Sequence, residues 1–314
     1  MSSIFYEQVF NELSANFCYR NIDEACAGMN RFCDVLRFVS NAGMKYFYIS
    51  HNFSNYELCE GYSIHKWHID KSVDKTTKQY LLTKVTKNSY IETYLEKEYR
   101  NIHLLKECSY EGKECLGLEF AYFKNTNVLS LDGDSRFSDN SILMIERECL
   151  EDSISEISVK IPSVCNYQQA YNRLYTSIGN GKDLVSVLHL IFPYLLFADN
   201  AKNQLLELHG NERYFRDILD HFKALNTGIV QYRSGVFSPV PSLDFSKESE
   251  STMNNMNFRE KRTFRCADGI ERVFKYHSKI RFDNQRIYFE PDLSNHIVHI
   301  GYVGEHLPTT QFPH

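Results

Sequence analysis

The sequence predicts an α+β protein, in which helical segments alternate with short strands and the chain closes on a strand-rich end. Three observations carry this expectation. Apolar residues recur every three or four positions from Ala25 to Val39 and from Phe215 to Leu225, the spacing of one helix face. KYFYIS and SILMIERE have the short, apolar, aromatic or β-branched character of strands. The C-terminal end holds four more strand-like runs, RTFRCA, RVFKYHSKIR, RIYFEP and HIVHIGYVG, with turn signals at Asp268-Gly269 and Asp283-Asn284 dividing the first three into an antiparallel meander.

Taken in order, Ile4, Phe5, Val9 and Leu13 fit a first amphipathic helix. Ala25, Met29, Phe32, Cys33, Leu36 and Val39 fit a second, with Asp23 as its N-cap. KYFYIS reads as a strand and DKTTKQYLLTKVTKNS as a helix starting at Asp74. CLGLEFAYF, NVLSL, SILMIERE and EISVKI read as strands, with DGDS (Asp132 to Ser135) as a turn between the second and third. Tyr167 to Ile191 is helical again, interrupted at Gly179 and Gly181. LVSVLHLIFPYLLFA, the longest apolar stretch, is too short for a membrane span; it reads as a buried helix, a break at Pro193 and a core strand. Two helices follow, NAKNQLLELH and RYFRDILDHFKALN. The polar segment Ser238 to Phe258 has no periodicity, the mark of a functional or mobile loop. The proline break places a domain boundary near residue 190, giving an N-terminal mixed α/β region (1–190) and a C-terminal domain (191–314) with an antiparallel sheet and two packed helices.

At 314 residues the chain can bury a substantial core, and its 43% hydrophobic and 14% aromatic content excludes a mostly disordered protein. A net charge of −5 excludes global attraction to nucleic acid or anionic membrane, so any anion site is local. Nine scattered cysteines without a CxxC pair, and an N-terminus (MSSIFYEQVFNEL) without a signal peptide, predict reduced, buried thiols and a soluble cytoplasmic protein. No Cys or His pair has repeated zinc-site spacing, so no metal is expected, and no cofactor either.

The local exception to the acidic balance lies between Arg259 and Arg286. Nine Arg and Lys residues there face four Asp and Glu, a net of +5, which leaves −10 for the rest of the chain. In RVFKYHSKIRFDNQRIYF, Lys275, His277, Lys279 and Arg281 occupy every second position and Phe274, Tyr276 and Ile280 the alternate ones. On a strand this makes a cationic row backed by an apolar one. An ordinary solvated strand gives the same pattern. The functional reading is a phosphate-binding sheet face, with Lys275, Lys279, Arg281 and Arg286 on the phosphates and His277, His306 and Tyr302 as proton-transfer groups beside Tyr288. Such a set cleaves RNA without metal: a base activates the ribose 2′-OH, cations stabilise the charged phosphorane and an acid protonates the leaving oxygen.

The order of strand, two helices and meander is similar to the RelE-like toxin fold. The run from SKESESTM to HIVHIGYVGEHLPT resembles the C-terminal end of uncharacterised bacterial proteins of that superfamily, most strongly over residues 190 to 312. This resemblance implies a metal-independent endoribonuclease acting in a toxin–antitoxin system or in antiviral defence, with RNA as substrate and an antitoxin or defence protein as partner. It matches the family's catalytic sheet at Lys275, His277, Lys279, Arg286, Tyr302 and His306. The alternative it leaves is a non-catalytic subunit that grips nucleic acid or a partner.

Other signals are weaker. Glu248 and Glu250 could carry carboxylates into the site on a loop or mask its charge. Arg216 and His221 have the Arg-x4-His spacing of HEPN ribonucleases, a short motif that arises by chance. Trp67, flanked by His65 and His68, reads as a core anchor rather than a recognition patch. Asp132 and Asp134 lack the remaining ligands of a calcium loop. No Walker, GxGxxG or GxSxG motif is present.

Overall fold

The computed structural model describes residues 4–86, 90–98, 106–150 and 153–310. It is α+β, and the chain divides into two compact units, Met1–Tyr175 and Thr176–His314. The division precedes the expected boundary, so the helix Gly181–Ile191 belongs to the second unit. Its start is locked there: Gly181 donates its N–H to the Leu208 carbonyl at 2.8 Å, and a Cβ at Gly181 would overlap the Leu205 carbonyl.

The first unit is built on a seven-stranded sheet of order β2-β1-β7-β9-β8-β5-β6. The strands are β1 Glu7–Phe10, β2 Tyr46–Tyr48, β5 Lys106–Tyr110, β6 Lys113–Glu114, β7 Asn127–Leu129, β8 Ser141–Leu150 and β9 Ser153–Val164. A separate hairpin pairs β3 Glu57–Cys59 with β4 Tyr62–Ser63. β2, β1, β7 and β9 run parallel, whereas β8 is antiparallel to β9 and β5.

Two expectations fail in this unit. The apolar residues at the N-terminus form β1, not a helix. β1 has a parallel neighbour on each side, and Val9 and Phe10 are buried, so its hydrophobic run has no strand alternation to reveal it. CLGLEFAYF holds the helix Leu116–Lys124, ended by Asn125 in the left-handed region (φ 50°). Leu118, Phe120 and Ala121 of this helix are all buried, and a helix apolar on most faces reads like a strand. The helices Ile22–Asn41 and Lys75–Thr86 stand as expected, the last three residues of the second expected segment (87–89) lying outside the described residues. Asn21, not Asp23, caps the former by accepting the Glu24 N–H at 2.9 Å, and Asp74 accepts from Thr77 at 2.7 Å in the latter. Trp67 is fully buried. Among the described residues eight cysteines are free; six are buried, but Cys18 and Cys26 are only half-buried.

The second unit contains β10 Leu195–Phe197, β11 Phe245–Lys247, β12 Thr263–Arg265, β13 Glu271–Val273, β14 Tyr276–Lys279, β15 Gln285–Asp292 and β16 Ile297–Glu305. Five of these make a sheet of order β10-β16-β15-β14-β11. Its contacts are antiparallel except β10 on β16, which is parallel, so the sheet is mixed rather than wholly antiparallel. Where β10 stops, the helix Asp199–Leu206 covers the β16 edge, Gln204 accepting the Val303 N–H at 2.8 Å. The helix Phe215–Gln231 buries the expected stripe of Phe215, Ile218, Leu219, Phe222 and Leu225.

RVFKYHSKIR is not one strand. β13 pairs with β12 in a separate hairpin, and the chain changes partners at Phe274 and Lys275 before β14 joins the main sheet. The aperiodic segment after Ser238 contains β11 and two short helices, Glu250–Asn254 and Met256–Glu260. The β12–β13 hairpin packs on the sheet through Phe264, Cys266 and Phe274, which meet Tyr288, Tyr302 and Leu307.

Gly301 makes room for this packing, because a Cβ there would lie 2.7 Å from Phe274 and 2.8 Å from Phe264. Gly301→Ala is expected to cost about 1–3 kcal/mol by overpacking, read as a lower urea midpoint in circular dichroism. An unchanged midpoint would mean that the two rings are not anchored over β16.

Candidate functional site

The pairing registers place Ser246, His277, Tyr288 and Tyr302 in one row across β11, β14, β15 and β16, with Lys279 and Arg286 in the next. Glu248 follows β11, its N–H donating to the Lys275 carbonyl at 2.8 Å, two residues beyond Ser246. His306 follows β16, its N–H donating to Asn284 O at 3.0 Å. Antiparallel pairing thus collects residues distant in sequence at one end of the sheet. Tyr276, Ser278 and Ile280 take the opposite face, where Tyr276 stacks on Phe289 and Ser278 hydrogen-bonds His221 at 3.0 Å.

Glu248, His277 and His306 form the centre. One ligand-type atom from each lies within 4.8 Å of the other two, and the imidazole rings stand nearly perpendicular with centroids 5.6 Å apart. Ser246 Oγ lies 3.0 Å from His277 Nε2, and Glu248 Oε1 lies 3.3 Å from His277 Nδ1, so the ring is held from both sides.

Arg262 stands behind the carboxylate, with Nη2 2.9 Å from Glu248 Oε1. It is fully buried and donates to three main-chain carbonyls, Phe258 at 3.0 Å, Pro308 at 2.9 Å and Leu307 at 3.2 Å. Its guanidinium also sits 5.5 Å from the centre of the Tyr288 ring. Arg262 therefore ties the carboxylate, the helix Met256–Glu260 and the chain after β16 into one knot.

Burial is the largest influence on the Glu248 carboxyl and pushes it up, but His277 and Arg262 together pull it below the ordinary carboxylate value. It is an anion at neutral pH. Burial, then the charges of Arg286 and His277, hold His306 below its ordinary value, leaving a neutral imidazole. Burial pushes the Tyr288 phenol up to about 12; its oxygen accepts the Leu307 N–H at 3.1 Å. Burial raises the Tyr302 phenol as well, so it keeps its proton.

Of the residues singled out in the sequence, His277 and His306 belong to this centre and Arg286 acts on it through its charge, whereas Tyr302 lies two strands from His277 in the same row and packs against Phe264 and Tyr288. Lys279 shares the face but pairs with Asp244 at 3.1 Å. Lys275 and Arg281 are exposed and fall outside β14, so the expected four-residue cationic row shrinks to His277 and Lys279. His277 itself is only 6% exposed. Glu248, weighed above only as a loop carboxylate, is central, whereas Glu250 is exposed at the start of a short helix. Ser246 and Arg262 were not recognised as site residues. Arg216 and His221 do not form a site here: Arg216 is exposed and donates to the Thr176 carbonyl, and His221 bonds Ser278.

The first unit has its strand-order reversal between β1 and β7, where open parallel sheets bind ligands beyond the strand ends. Here those ends are zipped shut. Asn11 Nδ2 donates to Ser130 Oγ at 3.0 Å and Ser14 Oγ accepts the Leu131 N–H at 3.0 Å. In a cavity of about 370 Å³ lined by Tyr19 and Gly133, Arg20 is paired with Glu24 and Arg31 with Asp132. Among the described residues no helix is long and apolar enough to cross a membrane.

Burial holds His221, His299 and His306 of the second unit below their ordinary value of 6.5. Below that pH the unfolded chain takes up protons that the folded chain refuses, so stability falls as pH drops from 6.5 through the folded values. Glu248 adds to the loss only further down, as pH falls below 4.5 through its depressed value. The urea midpoint is expected to fall between about pH 7.5 and 5.5, with a smaller fall in His306→Gln. A midpoint that rises on acidification would contradict neutral burial of these rings.

No protein-family model, curated protein or solved structure matches this chain.

Proposed function

We propose that the second unit is a metal-independent, toxin-like endoribonuclease of RelE type. The observation that carries this reading is the convergence of two imidazoles and a carboxylate within 4.8 Å, backed by Arg262 and flanked by Arg286. Phosphoryl transfer from an internal nucleophile needs a base, an acid and fixed positive charge, and these groups supply all three.

Neutral His306 takes the proton of a ribose 2′-OH, and the 2′-oxygen attacks the adjacent phosphorus. The P–O5′ bond breaks as His277 delivers a proton to the leaving oxygen, its far nitrogen facing the Glu248 carboxylate. The products are a 2′,3′-cyclic phosphate and a free 5′-hydroxyl. Arg286 opposes the charge that builds on the phosphorane, and Tyr302, protonated at neutral pH, is the further donor on this face. Purified protein is expected to cleave single-stranded RNA in EDTA and leave cyclic phosphate ends. Intact RNA after incubation of the protein, both alone and with the products of its neighbouring genes, would reject the activity.

The burial of His277 favours a second reading, a non-catalytic subunit that uses exposed Lys275 and half-exposed Lys279 to grip nucleic acid or a partner in a defence complex. Charge reversal of both lysines separates the two. Loss of binding together with full function in His277→Ala supports the subunit reading.

A further inference from the structure

We propose that Glu248, His277 and His306 form a binding site for a transition-metal dication of the zinc class. Two nitrogens and one carboxylate oxygen are a donor set that suits Zn²⁺, Co²⁺ or Ni²⁺ better than Mg²⁺ or Ca²⁺. The donor atoms lie within 4.8 Å of one another, and Glu248 Oε1 and His277 Nδ1 are 3.3 Å apart. Ligands at about 2.1 Å around a tetrahedral ion stand roughly 3.4 Å apart, so small side-chain rotations close the set.

A second observation is independent of this spacing. Glu248 Oε1 and His277 Nδ1 are both buried, with side chains 3% and 8% exposed, and neither completes a hydrogen bond, although Oε1 is ion-paired with Arg262 Nη2 at 2.9 Å. A buried ring nitrogen such as His277 Nδ1 without a completed hydrogen bond is uncommon and calls for a partner. A cation bound between the two atoms gives the nitrogen that partner and shares the carboxylate with Arg262. Arg262 remains behind the carboxylate, because three carbonyls fix it. Its charge weakens the site without occupying it. His306 supplies the third bond from the half-buried chain after β16, and the fourth position stays open to water.

Binding uses His277 and His306, the two residues that move protons in the ribonuclease reading, so on that reading the metal and cleavage exclude one another. The binding itself does not depend on it and is measured without RNA. Titration of the full-length protein with Co²⁺ is expected to give the visible d–d absorption of a four-coordinate ion, which Zn²⁺ displaces. His306→Ala leaves the Arg262–Glu248 knot intact and is expected to lower Co²⁺ affinity about tenfold or more; His277→Ala should do the same. A wild-type protein with no such band at millimolar Co²⁺, or a band unchanged in His306→Ala, overturns the site. In RNA assays, cleavage in EDTA that Zn²⁺ suppresses supports both proposals. RNA left intact under every condition, with a band that His306→Ala removes, supports the metal site while rejecting the ribonuclease.

Discussion

Replacing Arg262 by methionine is expected to destabilise the second unit by about 3–5 kcal/mol, the cost of removing one partner of a buried ion pair. The loss has two parts. The Glu248 carboxylate, 3% exposed, keeps its charge without its nearest counter-charge. The carbonyls of Phe258, Leu307 and Pro308 lose a shared donor, and a buried acceptor left unsatisfied costs about 1–3 kcal/mol by itself. Glu248→Gln should cost less, because Arg262 keeps its three carbonyls. The double variant, Arg262→Met with Glu248→Gln, should recover part of the single Arg262 loss, since no unpaired charge then stays buried. Urea denaturation of the three variants decides this. Equal losses for Arg262→Met and Glu248→Gln would show that the carbonyls contribute nothing. A double variant worse than the sum of the singles would show that the pair is not coupled as its geometry requires.

The knot also explains which parts of the site a linear reading reveals. His277 stood out because it lies among alternating cations, and His306 because it closes a distinctive ending. Arg262 looks in sequence like one more member of a basic run, yet it is the one charge there with no exposure at all. Glu248 lies in a polar stretch without periodicity, and its place is fixed by a main-chain bond to Lys275, a partner that no local pattern specifies. Ser246 meets His277 only through the pairing of β11 with β14. The alternation from Lys275 to Arg281 overstates the cationic face. It assumes one continuous strand, and the change of partner at Phe274 and Lys275 depends on the hairpin folding back on the sheet.

The same contrast runs through the fold. Helices with one apolar stripe and one polar face, such as Ile22–Asn41 and Phe215–Gln231, were legible because their period survives in the sequence. β1 and the helix Leu116–Lys124 were not. Each is surrounded by other elements, so burial erases the polar positions that separate a period of two from one of 3.6. Gly117 shows how close they come: a Cβ there would lie 2.3 Å from the Phe10 carbonyl at the end of β1. In both places tertiary packing decides the local structure, and the two misread segments pack on each other.

On the ribonuclease reading, His306→Ala and His277→Ala are each expected to lower the cleavage rate in EDTA by about 10²–10⁴, the usual contribution of a positioned acid or base. The two losses should combine to much less than their product if both groups serve one transition state. Arg286→Ala removes fixed charge beside the phosphorane and should cost about 10²–10³ in rate. The pH profiles separate the roles. A base that works as neutral imidazole gives a rate that falls on the acid side, and His306→Ala should abolish that limb. His277→Ala should lower the rate while leaving that limb in place. Stability provides the control that a purely structural role would fail: His306 is half-buried, and Arg262 holds the chain beside it through the main-chain carbonyls of Leu307 and Pro308, which the substitution leaves in place, so its alanine variant should unfold near the wild-type urea midpoint while losing activity. Activity within a factor of about three of wild type in both histidine variants would remove acid–base catalysis from this sheet and leave the binding reading in its place.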